Sequence, residues 1–97
     1  MVARTSLRRQ KQLRDLGANI QRWRKLKGVT AKALAAQAYV TPETLRHIER
    51  GTGRASMDSL MSVLGALGIA NTVVAACDPW NSAAGRALFD ENSGVVR

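Results

Sequence analysis

Cysteine, histidine and acidic side chains are scarce in this sequence. Cys77 is its one cysteine and has no partner for an intrachain disulfide, and with His47 the one histidine there is no Cys/His cluster at metal-ligand spacing. A metal centre is not expected, and a reducing, cytoplasmic setting fits. No apolar run approaches the ~18 residues of a membrane span, and the basic start is not followed by the apolar stretch of a signal peptide. No membrane partner is expected. Alternation of apolar and polar residues is nearly absent as well, which leaves little from which to build strands. No nucleophile–base set or phosphate-cradling loop is visible either, so the chain reads as a non-enzyme without a cofactor.

What is abundant is positive charge, and its placement says more than its sum. Fifteen Lys and Arg face seven Asp and Glu, for a net +8. Residues 1–27 hold nine of the basic residues (Arg4, Arg8, Arg9, Lys11, Arg14, Arg22, Arg24, Lys25 and Lys27) against Asp15 alone, while the remaining seventy residues balance. A basic end on a small domain attracts a polyanion through counterion release, with nucleic acid the first candidate and an anionic surface the second. The small size matters too. A 97-residue chain buries only about two thirds of the surface its unfolded form exposes, which makes association a natural way to complete the core.

Apolar residues recur at three and four, so the chain reads as all-helical. Leu13, Leu16, Ile20 and Trp23, with the stem of Lys27, form a stripe on a first helix over 7–27 that Gly28 ends. Trp23 reads as core. Thr30 caps a second helix over 31–38 whose Leu34, Ala35 and Ala38 face inward. After the short link Tyr39-Val40, Thr41 caps a third helix with Pro42 at its favoured first position, Glu43 complementing the dipole, Leu45 and Ile48 as anchors and Gly51 as the stop. Ser56 caps a fourth helix carrying Leu60, Val63, Leu64 and Leu67 to Gly68. Residues 69–77 fit a helix or a short strand, with helix favoured, and Cys77 reads there as a small buried hydrophobe. Asp78-Pro79 breaks the chain before a last helix from Trp80 to Glu91 and a loose tail over 92–97. Trp80 fits core or an aromatic anchor at an interface.

Two short helices joined by a brief turn, the second opening with exposed polar side chains, form the unit that places a recognition helix in the DNA major groove. Residues 30–50 supply it. With Leu45 and Ile48 inward, Pro42, Glu43, Arg46, His47 and Arg50 are directed outward. Arg reads guanine bidentately, Glu accepts from the cytosine amino group, and His bonds a purine edge. A solvated outer face on an ordinary amphipathic helix fits the same pattern.

Over residues 16–68 the sequence resembles the Xre, or Cro/C1-type, helix-turn-helix family. The resemblance rests on Arg24 in the first helix, Gly28-Val29-Thr30 entering the second, Leu34-Ala35 within it, and Glu49-Arg50-Gly51 closing the third. It implies a five-helix lambda-repressor-like domain, all-α, with a short C-terminal extension, and it pairs Arg24 with Glu49. The boundaries expected are a basic arm or helix extension over 1–12, the helix-turn-helix domain over 13–77 and an extension over 78–97 for dimer or partner contact. Two positions depart from the family pattern. Tyr39 stands where the turn usually has Gly, and Ala31 stands where many members carry a DNA-contacting Gln.

On the C-terminal side Asp78-Pro79 and Gly85-Arg86, after a leucine-rich fourth helix, resemble HipB-type antitoxins that accompany HipA kinases. The combined expectation is a homodimer on a double-stranded operator, repressing its own operon and restraining a HipA-like serine/threonine kinase toxin. Arg46, His47 and Glu43 then read bases. Thr41, Thr44, Thr30, Lys32, Arg50 and Arg54 hold the backbone beside Pro42, and residues 1–11 reach toward phosphate. A stand-alone regulator, a protein-interaction module and a nonspecific polyanion binder remain open as rivals.

Overall fold

The computed structural model describes residues 6–92, so Arg4 of the basic arm and tail residues 93–97 lie outside it. Six α-helices follow one another: α1 Leu7–Leu26, α2 Ala31–Gln37, α3 Pro42–Arg50, α4 Met57–Leu67, α5 Ala70–Ala76 and α6 Ala83–Glu91. A 3₁₀ turn, Pro79–Asn81, precedes α6, and no strand occurs among the described residues. Hydroxyl caps start most of these helices. Ser6, Thr30, Thr41, Ser56 and Ser82 each accept a hydrogen bond from the backbone N–H three residues on, which satisfies a donor that the first helical turn leaves open. Gly51 and Gly68 close α3 and α4 in the left-handed conformation.

The core is small and well defined. Ile20, Leu34, Leu45, Val63, Leu64 and Leu67 are the largest fully buried side chains, with Ala35, Ala38 and Ile48 beside them. α1 packs chiefly on α3, and α2 on α3 and α4. The α1–α3 crossing depends on Gly17. A β-carbon there would stand 2.6 Å from the Glu49 carbonyl oxygen, so only glycine lets the two backbones approach this closely.

Several expectations are corrected here. The inward face of α1 is Gly17, Ile20 and Arg24. Leu16 and Trp23 lie on its exposed flank, Trp23 at 44% exposure, and the Lys27 stem is exposed as well. Cys77 is exposed, because it is the C-cap beyond the end of α5, whose packing runs through Ile69, Ala70 and Val73 and buries no residue fully. The last helix begins at Ala83 instead of Trp80. Asp78 accepts from the Trp80 N–H to form a separate turn, and the extended Ser82 then caps α6 by accepting from Gly85. The ambiguous run 69–77 is helical.

Candidate nucleic-acid interface

The α2–α3 unit is closed by a turn that Tyr39 makes with φ +56°. A bulky residue in this left-handed region costs roughly 1–2 kcal/mol, and Tyr39 is 95% exposed, so packing does not offset the cost. The turn is held by backbone bonds, Tyr39 N–H to Ala36 O at 3.2 Å and Val40 N–H to Ala35 O at 3.0 Å.

A charged clamp beneath the unit fixes α3 against α1. Arg24 Nε donates to Glu49 Oε2 at 2.7 Å, its Nη2 to Glu49 Oε1 at 3.0 Å and its Nη1 to the Val29 carbonyl at 3.1 Å. Gln21 Nε2 adds a bond to Glu49 Oε1 at 3.3 Å. Both partners of the pair are nearly buried, with side-chain exposures of 11% and 8%. The hydrogen bond from Glu49 holds the Arg24 guanidinium above its ordinary range. Bidentate geometry of this kind fixes orientation as well as distance, so the clamp sets the angle at which α3 presents its outer face.

That outer face carries three of the expected reading residues in mutual contact. Arg46 Nη1 donates to Glu43 Oε1 at 2.5 Å, and His47 Nε2 lies 3.5 Å from Glu43 Oε2. The Arg46–Glu43 pair is half or more exposed, and exposed pairs contribute only about 0–1 kcal/mol, so base edges can replace it at little cost. His47 is less free than its place in the sequence implies. Its Nδ1 lies 2.9 Å from Thr52 Oγ1, and its side chain is 28% exposed. Thr52, absent from the expected set, accepts from Arg54 N–H at 3.2 Å and thereby ties the loop after α3 to the recognition helix.

The remaining expected residues frame this face. Thr30 Oγ1 accepts from Ala33 N–H at 3.1 Å, and Lys32 is exposed in the same first turn of α2. Thr41 Oγ1 accepts from Thr44 N–H and donates to Thr44 Oγ1, both at 3.0 Å, while Pro42 is exposed at the tip of α3. Arg50 and Arg54 are exposed beyond its far end. Beside the small Ala31 is an opening bounded by Gln21, Arg46, Glu49 and Arg50. α3 has nine residues and is therefore about 13 Å long, against a major groove ≈ 12 Å wide and ≈ 8.5 Å deep. Its dimensions suit insertion.

A capped helix of groove length, preceded by a short helix and a tight turn and presenting Arg, Glu and His outward, defines a DNA-binding helix-turn-helix domain. The helix-turn-helix family model matches residues 20–70, more than half of the chain. The chain belongs to this family, of the Xre/Cro/C1 type, and is a DNA-binding transcription regulator. No curated protein and no solved structure matches it. Among the described residues no single helix is long and apolar enough to cross a membrane.

Proposed function

We propose that the protein is a sequence-specific repressor that binds a palindromic operator as a homodimer, with Arg46 as its principal base-reading residue. The observation that carries this reading is the Glu43–Arg46–His47 cluster on the solvent side of a helix held rigidly by the Arg24–Glu49 clamp. Arg46 faces guanine, Glu43 orients it and takes a cytosine amino group, and His47 reaches a neighbouring purine from its seat on Thr52. Thr30, Lys32, Thr41, Thr44, Arg50 and Arg54 hold phosphate on either side, with Pro42 packed near the groove wall. Dimerisation is supported by α5, an apolar helix with no fully buried residue in the single chain and with Val74 exposed on it. The test is selection of duplexes from a random pool. Enrichment of a two-fold symmetric motif supports the reading, and loss of one base preference per half-site in Arg46→Ala assigns the contact.

A second role, restraint of a HipA-like kinase, is favoured by the C-terminal turn. The residues that carry the resemblance there also build it. Arg86 Nη1 donates to the Trp80 carbonyl at 2.8 Å, and a β-carbon at Gly85 would stand 2.7 Å from the Pro79 carbonyl carbon. Trp80 stacks on Phe89 with ring centroids 4.0 Å apart and stays 56% exposed, as an anchor awaiting a partner surface does. Co-expression with a kinase encoded beside the gene tests this. Rescue of kinase-arrested growth by the wild-type chain but not by Trp80→Ala supports the role, and equal rescue by both removes Trp80 from it.

A further inference from the structure

The family match begins at residue 20, yet α1 runs back to Leu7 and carries arginines that the match leaves unexplained. Between this extension and the end of α3 is a cleft of about 590 Å³. It is lined by Arg9, Gln10, Leu13 and Arg14 of α1, by Arg50, and by the loop Gly51–Gly53. We infer that this cleft is a second DNA contact, a seat for backbone phosphate in which Arg9 and Arg14 join Arg50. The inference rests on the DNA-binding reading of α3.

Three observations support it. The cleft is built by close packing of backbone on backbone: a β-carbon at Gly51 would stand 2.5 Å from the Leu13 carbonyl carbon and 2.6 Å from Arg14 Cα, so glycine is required for the loop to meet α1. Its charge is of one sign. Three guanidinium groups line it without a carboxylate, and neither Arg14 nor Arg50 is ion-paired among the described residues. Glu49, the acid nearest in sequence, is consumed by Arg24, and Asp15 is taken by Lys11 at 2.7 Å.

The third observation is position. Arg50 borders both this cleft and the opening beside Arg46 and Ala31, so the base-reading face and the cleft are continuous. Arg50 stands four residues, about 6 Å, beyond Arg46 along α3. Packed helices lie 8–10 Å apart, and the half-width of a major groove is about 6 Å. With α3 in the groove, the flank of α1 beside α3 therefore falls outside the groove at the level of the sugar–phosphate wall. Arginine forks suit phosphate oxygens there, and such contacts add affinity without reading sequence.

The experiment uses the full chain, a duplex enriched by the wild type and a random-sequence duplex, with folding checked by circular dichroism. The slope of log affinity against log salt is measured for the wild type, for Arg9→Gln/Arg14→Gln and for Arg22→Gln. Arg22 lies on the side of α1 turned away from α3, where it bonds Asn19 at 2.6 Å. Loss of two phosphate contacts lowers the slope by roughly two units in the double variant, on both duplexes, with base preference intact. Arg22→Gln leaves the slope unchanged. An unchanged slope in the double variant overturns the inference, as does an equal fall in Arg22→Gln or a changed base preference. Failure of the wild type to enrich any motif overturns the operator reading instead, and the random duplex still reports on the cleft.

Discussion

Removing Glu49 exposes how much of the domain depends on one ion pair. In Glu49→Ala, Arg24 keeps its bond to the Val29 carbonyl but loses both charged bonds, in a site where only 11% of its side chain reaches solvent. Breaking a buried pair by removing one partner costs about 3–5 kcal/mol, because a charge stays desolvated without compensation. The surviving carbonyl bond and the slight exposure place the expected loss at the lower end, about 3 kcal/mol. A domain of this size has a total stability of roughly 5–15 kcal/mol, so a large share disappears. At about 4–8 °C per kcal/mol, the melting temperature falls by roughly 12–24 °C. Urea denaturation followed by far-ultraviolet circular dichroism reads the change directly. Arg24→Met/Glu49→Leu, which replaces both charges by apolar groups, recovers most of the loss. A cost below about 1 kcal/mol for Glu49→Ala, or a double variant no better than the single, refutes the reasoning.

Other positions give independent checks. Tyr39→Gly relieves a left-handed φ worth roughly 1–2 kcal/mol against a glycine entropy cost of about 0.5–1, so it stabilises the domain by about 0.5–1 kcal/mol in the same denaturation assay. Gly17→Ala forces α1 away from the Glu49 carbonyl, and both stability and operator affinity fall together; a variant that melts like the wild type contradicts the crossing described here. Thr41→Ala removes the α3 cap and costs about 1 kcal/mol by denaturant midpoint.

The legibility of the sequence varied with how local each signal was. α3 was readable nearly to the residue, because Thr41, Pro42, Leu45, Ile48 and Gly51 each act within one or two turns of themselves. α1 was readable in extent but not in facing. Of its inner residues Gly17, Ile20 and Arg24, an apolar stripe includes Ile20 alone, and Leu16 and Trp23 drew the stripe toward the wrong flank. Arg24 and Glu49 emerged only through family resemblance, since nothing local ties residues 25 apart. Thr52 was missed because its role, a contact reaching back to His47 across the helix end, leaves no periodic trace. For 69–77 periodicity was silent, and α5 packs on the core through Ala70 and Val73, while Cys77, one turn beyond Val73 at the C-cap, lies past the packed part of the helix and stays exposed. The two α1 arginines of the cleft belonged to a basic stretch visible in composition, but their meeting with Arg50 depends on the α1–α3 crossing.

The central claim, that α3 reads bases through Arg46, is tested most directly by duplex selection with the wild type and Arg46→Ala side by side. The account predicts a two-fold symmetric motif for the wild type. In Arg46→Ala one preferred base per half-site is lost, and affinity falls by about 1–3 kcal/mol at fixed salt. An identical motif with unchanged affinity in the variant contradicts it.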